Sequence, residues 1–509
     1  MTNQTAGQSN TRRIMLVIGL SVLVTSSAAS SLNLALPSVA AGTGATQSQM
    51  LWIVDAYTVL MAGLLLAAGA LGDRFGRRSI LLLGLSMFGL AALVASFVDS
   101  PITLIVCRAV MGCAGALVLP TTLSVVTTTL PPERRNTAVG TWTGLAGAGA
   151  VLGMLASALL LQFFAWNSIF VLTVILAVIA ITGVTLVLPS TRAEDPPKLD
   201  LLGAALSLIA ISAVVVAILE GPDRGWTDGL VLVLFAVGVI AFASLIWHEL
   251  RCDEPMIDPR VFRFRGVEVG TVSNFLVTMG SLGFMFMFTQ YLQFVGGFSP
   301  IQVVCSVLPF ALVMIPASRL TPRLAEKYGA RTVMCGGFVL TAAAFVIGQF
   351  LGTDVDVLLV VLMMVIVGIG MACVSPVATT AIVTSLPEEK QGVASALGQT
   401  ARSVAGSLGV ALIGALLNSG YTSSLSEVIP ANAPAEPARA AEASIAAADA
   451  IADQIGPQGE ALSSAASQAF VDGLGHAFWG AVAIALAGLL YAAVRAPRRG
   501  SRSTEFLEP

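Results

Sequence analysis

The chain has 509 residues, 56% of them hydrophobic and only 11% charged, with mean hydropathy +0.88 and a formal net charge of -3. A soluble chain of this length needs about 25% charged residues to cover its surface, so the composition excludes an ordinary soluble enzyme and marks a polytopic membrane protein. The net charge says nothing about partners; no nucleic-acid partner is expected, and the distribution of charge along the chain carries the information.

A bilayer core takes about 20 mostly apolar residues per helix. On that rule, spans fall at 14–36, 50–71, 79–98, 102–126, 138–162, 167–188, 201–219, 229–247, 267–291, 301–318, 332–351, 357–381, 393–417 and 474–494, fourteen in all. The first apolar stretch exceeds the roughly 7–15 residues of a signal-peptide core, so it reads as an uncleaved span despite Arg12 and Arg13 before it. Basic residues concentrate in the loops that remain in the cytoplasm. With the N-terminus inside, all but four of the 26 Lys and Arg fall in inner segments. The exceptions are Arg224 and Arg439 in outer loops and Arg108 and Arg402 within spans. One missed helix would invert every later loop, so this asymmetry supports the count. It predicts a multi-pass protein of the plasma (inner) membrane with both termini cytoplasmic.

The chain also repeats itself. GALGDRFGRRSILL, Gly69 to Leu82, lies between spans two and three, and SRLTPRLAEKYGAR, Ser318 to Arg331, lies between spans ten and eleven. Both hold basic residues around an aromatic-Gly step, Phe75-Gly76 and Tyr328-Gly329. Gly112, Gly115 and Pro120 of span four are echoed by Gly368, Gly370 and Pro376 of span twelve. Such repeats point to two six-helix halves. The expected organisation is a cytoplasmic N-terminus (1–13), an N-terminal bundle (14–188), a linker and two inserted helices with a basic inner loop (189–266), a C-terminal bundle (267–494) and a cytoplasmic tail (495–509). The outer loop 418–473 is Ala-rich; its stretch PARAAEASIAAADAIADQI reads either as an outer amphipathic helix or as a loosely ordered loop. The six cysteines, 107, 113, 252, 305, 335 and 373, lie in spans or an inner loop without metal-ligand spacing, and read as small apolar core residues.

Gly69, Leu71, Asp73, Arg74, Gly76, Arg77 and Arg78 match the loop signature G-x-L-x-D-R-x-G-R-R of the major facilitator superfamily. Span four, LIVCRAVMGCAGA, resembles that superfamily's buried-Arg motif through Arg108 and Gly112. LNLALPSVA, LWIVDAYTVL, LDLLGAAL, QYLQFVGGFSP and GVASALGQTARSVAGSLGVALIGALL resemble the fourteen-span drug:proton antiporter family, whose members include multidrug exporters and antibiotic self-resistance pumps. The resemblance implies an all-α major facilitator fold, two pseudo-symmetric six-helix bundles plus two inserted central helices. Two positions depart from the family pattern. The first-span Asp that usually precedes the Asn of N-x-A-L-P is Ala28 here. The span-five antiporter pattern G-P-x-x-G-G is Gly149-Ala150-Val151-Leu152-Gly153-Met154.

Charges within a membrane are expensive and few, and mark function. Asp55 and Arg108 lie at depths that agree within about 3 Å, counted at 1.5 Å per residue from the outer ends of their spans. Burial favours the protonated carboxyl and a nearby Arg favours the carboxylate, so the pair can serve as a proton-coupling switch. Equally, it can be a static buried pair that fixes helix register. The resemblance implies that Asp73, facing the positive end of a neighbouring helix, gates the inner side together with Gly69, Arg74, Gly76, Arg77 and Arg78. Gly144, Gly149 and Gly153 recur along span five and allow close helix approach, either as a sliding hinge or as plain packing. Candidate substrate contacts are Asn33, Tyr57, Trp142, Asn274, Gln290, Gln399 and Arg402. The run Gly283 to Phe288 offers adaptable apolar surface that otherwise faces lipid.

No catalytic constellation, metal site or nucleotide loop is expected; neither an enzyme nor a cofactor is implied, and the energy comes from an ion gradient. The leading expectation is a monomeric, proton-coupled exporter, working by alternating access, of hydrophobic neutral or monocationic drugs or antibiotics. An importer or carrier of another metabolite or lipid is the alternative, and a non-transporting membrane receptor the reading of another class.

Overall fold

A backbone in hydrocarbon must satisfy its own polar groups, and the apolar segments do so as helices. The computed structural model describes residues 2–45, 47–130, 132–189, 200–252, 259–386, 391–429, 437–438, 441–442, 444–455 and 459–497. Its helices are α1 (Thr2–Thr43), α2 (Gln47–Phe75), α3 (Arg77–Ala95), α4 (Pro101–Thr129), α5 (Pro132–Phe163), α6 (Ser168–Val187), α7 (Leu201–Arg224), α8 (Gly229–Glu249), α9 (Arg265–Gln290), α10 (Pro300–Tyr328), α11 (Ala330–Ile347), α12 (Val357–Thr384), α13 (Gln391–Val428), α14 (Ile445–Ile455) and α15 (Glu460–Arg495). All except α14 are long and apolar enough to span a membrane, which gives the fourteen spans expected. No strand occurs among the described residues. The linker between α6 and α7 and the chain after residue 497 lie almost wholly outside the described residues.

Two sets of helices repeat one packing scheme. α2 packs on α4 as α10 packs on α12, and α1 on α5 as α9 on α13. α3 joins α4 and α6 as α11 joins α12 and α15. Across the molecule α5 meets α10 and α2 meets α13, contacts that the repeat exchanges. The inserted α7 packs on α8, α2 and α13, and so lies against one of these seams. The fold is therefore an all-α polytopic membrane protein of two pseudo-symmetric six-helix bundles and an inserted pair.

The local reasons are visible at the ends and close approaches of helices. Asp200, Asp228 and Asp356 each accept a hydrogen bond from a backbone N–H in the first turn of α7, α8 and α12, satisfying donors that a helix start leaves open. Gly112 of α4 lies against the carbonyl of Tyr57, and its counterpart Gly368 of α12 lies 3.0 Å from the carbonyl of Phe310, measured from a Cβ built at each glycine. Missing side chains at these positions let α4 and α12 reach α2 and α10. Phe284, Phe338, Phe345 and Phe478 fill the second bundle; Tyr57 and Phe88 anchor the first.

Gly76 has φ 92° and Gly329 φ 91°, so both echoed loops turn through the same left-handed residue. An L side chain there costs about 1–2 kcal/mol. Gly76→Ala and Gly329→Ala are each expected to lower the thermal midpoint of the detergent-purified protein, followed by loss of the monodisperse species. Gly336→Ala, at a glycine with open space around it, is the control expected to leave the midpoint unchanged.

Between the last two spans, α13 runs on to Val428 and α15 begins at Glu460, so both helices extend past the spans expected from hydropathy. α14 realises the helical reading of the Ala-rich stretch and packs on α15. Tyr421 and Thr422 tie the segment down, donating to the carbonyls of Ala441 and Glu442 at 2.8 and 3.0 Å.

Candidate functional site

Arg108 lies two turns into α4 and is 1% exposed. Its Nε donates to the carbonyl of Ile53 at 2.9 Å and one terminal nitrogen donates to the carbonyl of Ala28 at 3.0 Å. Its guanidinium lies 4.5 Å from the centroid of the Tyr57 ring. The Asp55 carboxylate acts on it electrostatically from the same turn of α2. One buried cation thus joins α1, α2 and α4. Tyr57 is itself fixed: its hydroxyl donates to the carbonyl of Thr25 at 2.9 Å and its ring meets Phe88 edge-on. Where the resembled family has a first-span carboxylate, the main-chain carbonyl of Ala28 takes part of the charge. Planar guanidinium suits this task, because its fork reaches two carbonyls while its face covers an aromatic ring. Met364 stands in α12 where the repeat would put a second Arg, and it is fully buried. The second bundle has an apolar side chain at the point equivalent to Arg108.

The glycines of α5 divide between two surfaces. A Cβ at Gly140 would strike the carbonyl of Ser318 in α10, and one at Gly144 would approach Ser318 and Ile315 at 3.1–3.2 Å. Gly149 and Gly153 instead face Ser26 and Ser27 of α1 within the first bundle. Gly140 and Gly144 therefore line the seam between bundles, whereas Gly149 and Gly153 serve internal packing. Near the same end of the seam Asn136 donates to Glu326 at 3.4 Å. There Val126, Leu130, Val139 and Trp142 share one buried cluster with Val267, Ile382, Leu386 and Ala394. The bundles are thus closed against each other at the end that carries the two echoed loops.

At that end Arg78 donates to the carbonyl of Thr185 at 2.7 Å, capping the last turn of α6, where a cation is favoured by the helix dipole. Arg74 lies 5.7 Å from the Phe75 ring, and Arg77 is half-buried with a partner of its own. Gly69 is buried in α2. The side chains of Asp73 and Asn33 lie outside the described residues.

The other candidate contacts are dispersed. Trp142 is 1% exposed and its indole N–H donates to Thr122 at 3.0 Å within the first bundle. Asn274 accepts from Ser375 at 2.8 Å and lines a small cavity with Gln399, Thr379 and Leu123, between α9, α12, α13 and α4. Arg402 is partly buried, with one terminal nitrogen wholly covered and without a hydrogen-bond partner among the described residues. Gln290 lines a separate cavity of about 690 Å³ at the opposite end of the molecule, with Phe286, Phe294, Trp226 and Asn418. Within the run Gly283 to Phe288, Phe284, Met287 and Phe288 are core residues and Phe286 faces this cavity. Reasoning from the sequence missed Thr278, Ser281 and Thr379, buried hydroxyls near Asn274. Their spacing on α9, Asn274-Thr278-Ser281, was a legible polar face.

Two six-helix bundles closed against each other at one end, with a buried cation hub in the first, have the architecture of a membrane transporter. The chain belongs to the Major Facilitator Superfamily, whose family profile matches residues 18–410; this is a family of transporters rather than enzymes. It is 31% identical over 485 residues to the tetracenomycin C resistance and export protein of Streptomyces glaucescens, covering 93% of this chain and 89% of that protein. It is also 31% identical to the multidrug efflux pump LfrA of Mycolicibacterium smegmatis, covering 86% of each. Among solved structures, the proton:xylose symporter XylE superimposes with a TM-score of 0.63 at 13% identity, covering 99% of both chains. That likeness concerns the fold.

Proposed function

We propose that this protein is a proton-coupled exporter of hydrophobic neutral or monocationic drugs or antibiotics, working as a monomer in the plasma membrane with both termini in the cytoplasm. Residues 14–188 and 267–494 rock as two bodies about the α5–α10 and α2–α13 seams, with the inserted segment 189–266 between them. The observation that carries the coupling is the Arg108 hub. Its guanidinium holds α1, α2 and α4 through two carbonyls and the Tyr57 ring while Asp55 remains within its field. With the cation close, the Asp55 carboxylate stays ionised; when cargo or rotation withdraws the cation, burial favours uptake of a proton. The closed seam at Gly140 and Gly144 supports assigning this conformation to the state sealed toward the cytoplasm. Loop 69–82 then serves as the inner latch, with Arg78 on the end of α6. The export and resistance names of the relatives supply the direction and the drug class.

The test is efflux of a panel of dyes and antibiotics in energised everted vesicles, wild type beside Asp55→Asn. Wild type is expected to move at least one lipophilic compound when a pH gradient is imposed. Asp55→Asn is expected to lower gradient-driven movement about 100-fold or more, in the range one proton-transfer group contributes, while leaving downhill exchange of the compound measurable. Intact gradient-driven transport in the variant sinks the coupling assignment; absence of any outward movement in wild type sinks the exporter reading.

A further inference from the structure

The inserted pair α7–α8 carries a cluster that transport does not use. Asp200 caps the start of α7, His248 ends the last turn of α8, and Cys252 lies one turn beyond, its N–H bonded to the carbonyl of His248 at 2.9 Å. The antiparallel hairpin brings these ends together although the residues are far apart in sequence. His248 Nε2 lies 3.0 and 2.9 Å from the two oxygens of Asp200. One ligand atom from each of Asp200, His248 and Cys252 lies within 4.8 Å of the others. Asp200 is 6% exposed at its side chain and His248 23%. A Cβ at Gly203 would strike the Asp200 carboxylate and meet that of Glu249 at 2.9 Å. A side chain at that glycine would fill the space between them. The cation on the adjacent residue, Arg251, is turned onto the Trp247 ring at 4.3 Å.

A thiol, an imidazole and a carboxylate within reach of one another are the donor types that hold a borderline-soft divalent cation. Tetrahedral zinc with bonds of about 2.0–2.3 Å sets its ligand atoms roughly 3.3–3.6 Å apart. The Asp200–His248 pair opens by a few tenths of an ångström to admit it, and Cys252, within 4.8 Å of both, moves in to the same spacing. His248 and Cys252 have the four-residue spacing that places two ligands on one side of a helical turn. We propose that Asp200, His248 and Cys252 form a zinc site at the ends of the inserted hairpin, with the fourth position open to solvent. Binding converts the Cys252 thiol to a thiolate and releases its proton to solvent, along with the proton shared between His248 and Asp200. The occupied site clamps the two helix ends remote from the 225–228 connection. It stands independently of cargo and of proton coupling.

The experiment uses the full-length, tag-free protein purified in detergent and stripped with a chelator. Zinc is titrated in competition with a chromophoric chelator, and cobalt is titrated separately while ultraviolet and visible spectra are recorded. Wild type is expected to bind one equivalent of zinc and, with cobalt, to give a thiolate-to-metal charge-transfer band. Cys252→Ser is expected to abolish that band. Cys252→Ser and His248→Gln are each expected to weaken zinc binding about 100-fold or more, since even outer-shell partners are worth 10–100-fold. Neither substitution removes the Asp200 cap, and size-exclusion profiles identical to wild type verify the fold. Wild type without a tight equivalent of zinc overturns the site. So does a charge-transfer band that survives Cys252→Ser, or equal affinity in wild type and both variants.

Discussion

Arg108→Lys is expected to abolish gradient-driven export while the protein still reaches the membrane and runs as a single species. Lysine keeps the charge but has one compact ammonium in place of a planar fork. It cannot hold the carbonyls of Ile53 and Ala28 together while also covering the Tyr57 ring, so α1 and α2 lose their common tie to α4. Arg108→Met goes further. It copies the side chain that the second bundle places at the equivalent point, Met364, and packs well for that reason. Yet it removes the charge that acts on Asp55 and both donors to the carbonyls of Ile53 and Ala28. The expected results are export below about 1% of wild type for both variants and a lower thermal midpoint for Arg108→Met. Export by Arg108→Lys within a few-fold of wild type would show that a point charge suffices and that the two-carbonyl grip is incidental.

Gly140→Leu is expected to have a comparable effect through geometry alone. Any Cβ at this position strikes the backbone carbonyl of Ser318, which has no rotamer to escape into. The bundles then cannot close at the end bearing loops 69–82 and 318–331, and the state sealed there is lost. Gly153→Ala strikes the backbone of Ser27, but within the first bundle. It is expected to cost stability in the range of 1–3 kcal/mol for overpacking without changing which side is open. Cysteine-accessibility labelling separates the two. A probe cysteine at Thr137, facing the seam beside Asn136, should label faster in the Gly140→Leu background and at the wild-type rate in Gly153→Ala. Equal labelling in both backgrounds would mean that α5 and α10 do not form the moving seam.

These two residues also show how far the sequence could be read. Arg108 stood out because an ionised side chain inside an apolar stretch is expensive, and depth counting already paired it with Asp55. What depth counting could not provide was the main-chain carbonyl of Ala28, since a backbone acceptor leaves no trace in residue identity. The glycines of α5 were legible as a close-packing stripe. Helical spacing of small residues says that something approaches, not which helix does, and Gly144 and Gly153 answer to different neighbours. Trp142 read as a polar aromatic able to touch cargo, and its indole N–H is consumed by Thr122. The cysteines read as core because no two of them have metal-ligand spacing. Cys252 meets Asp200 only because an antiparallel hairpin of two similar helices brings its ends together.

The sequence by itself determined the number of spans, the repeat that doubles six helices and the rarity of charge within them. Each follows from the cost of placing polar groups in hydrocarbon, which is paid locally and so is written locally. Only the tertiary structure decided which surface each glycine serves, where the Arg108 hydrogen bonds end, which end of the seam is closed, and which titratable groups meet on the inserted pair. Those outcomes depend on contacts between helices remote in sequence, whose azimuth and register are set by packing of whole faces rather than by any one residue.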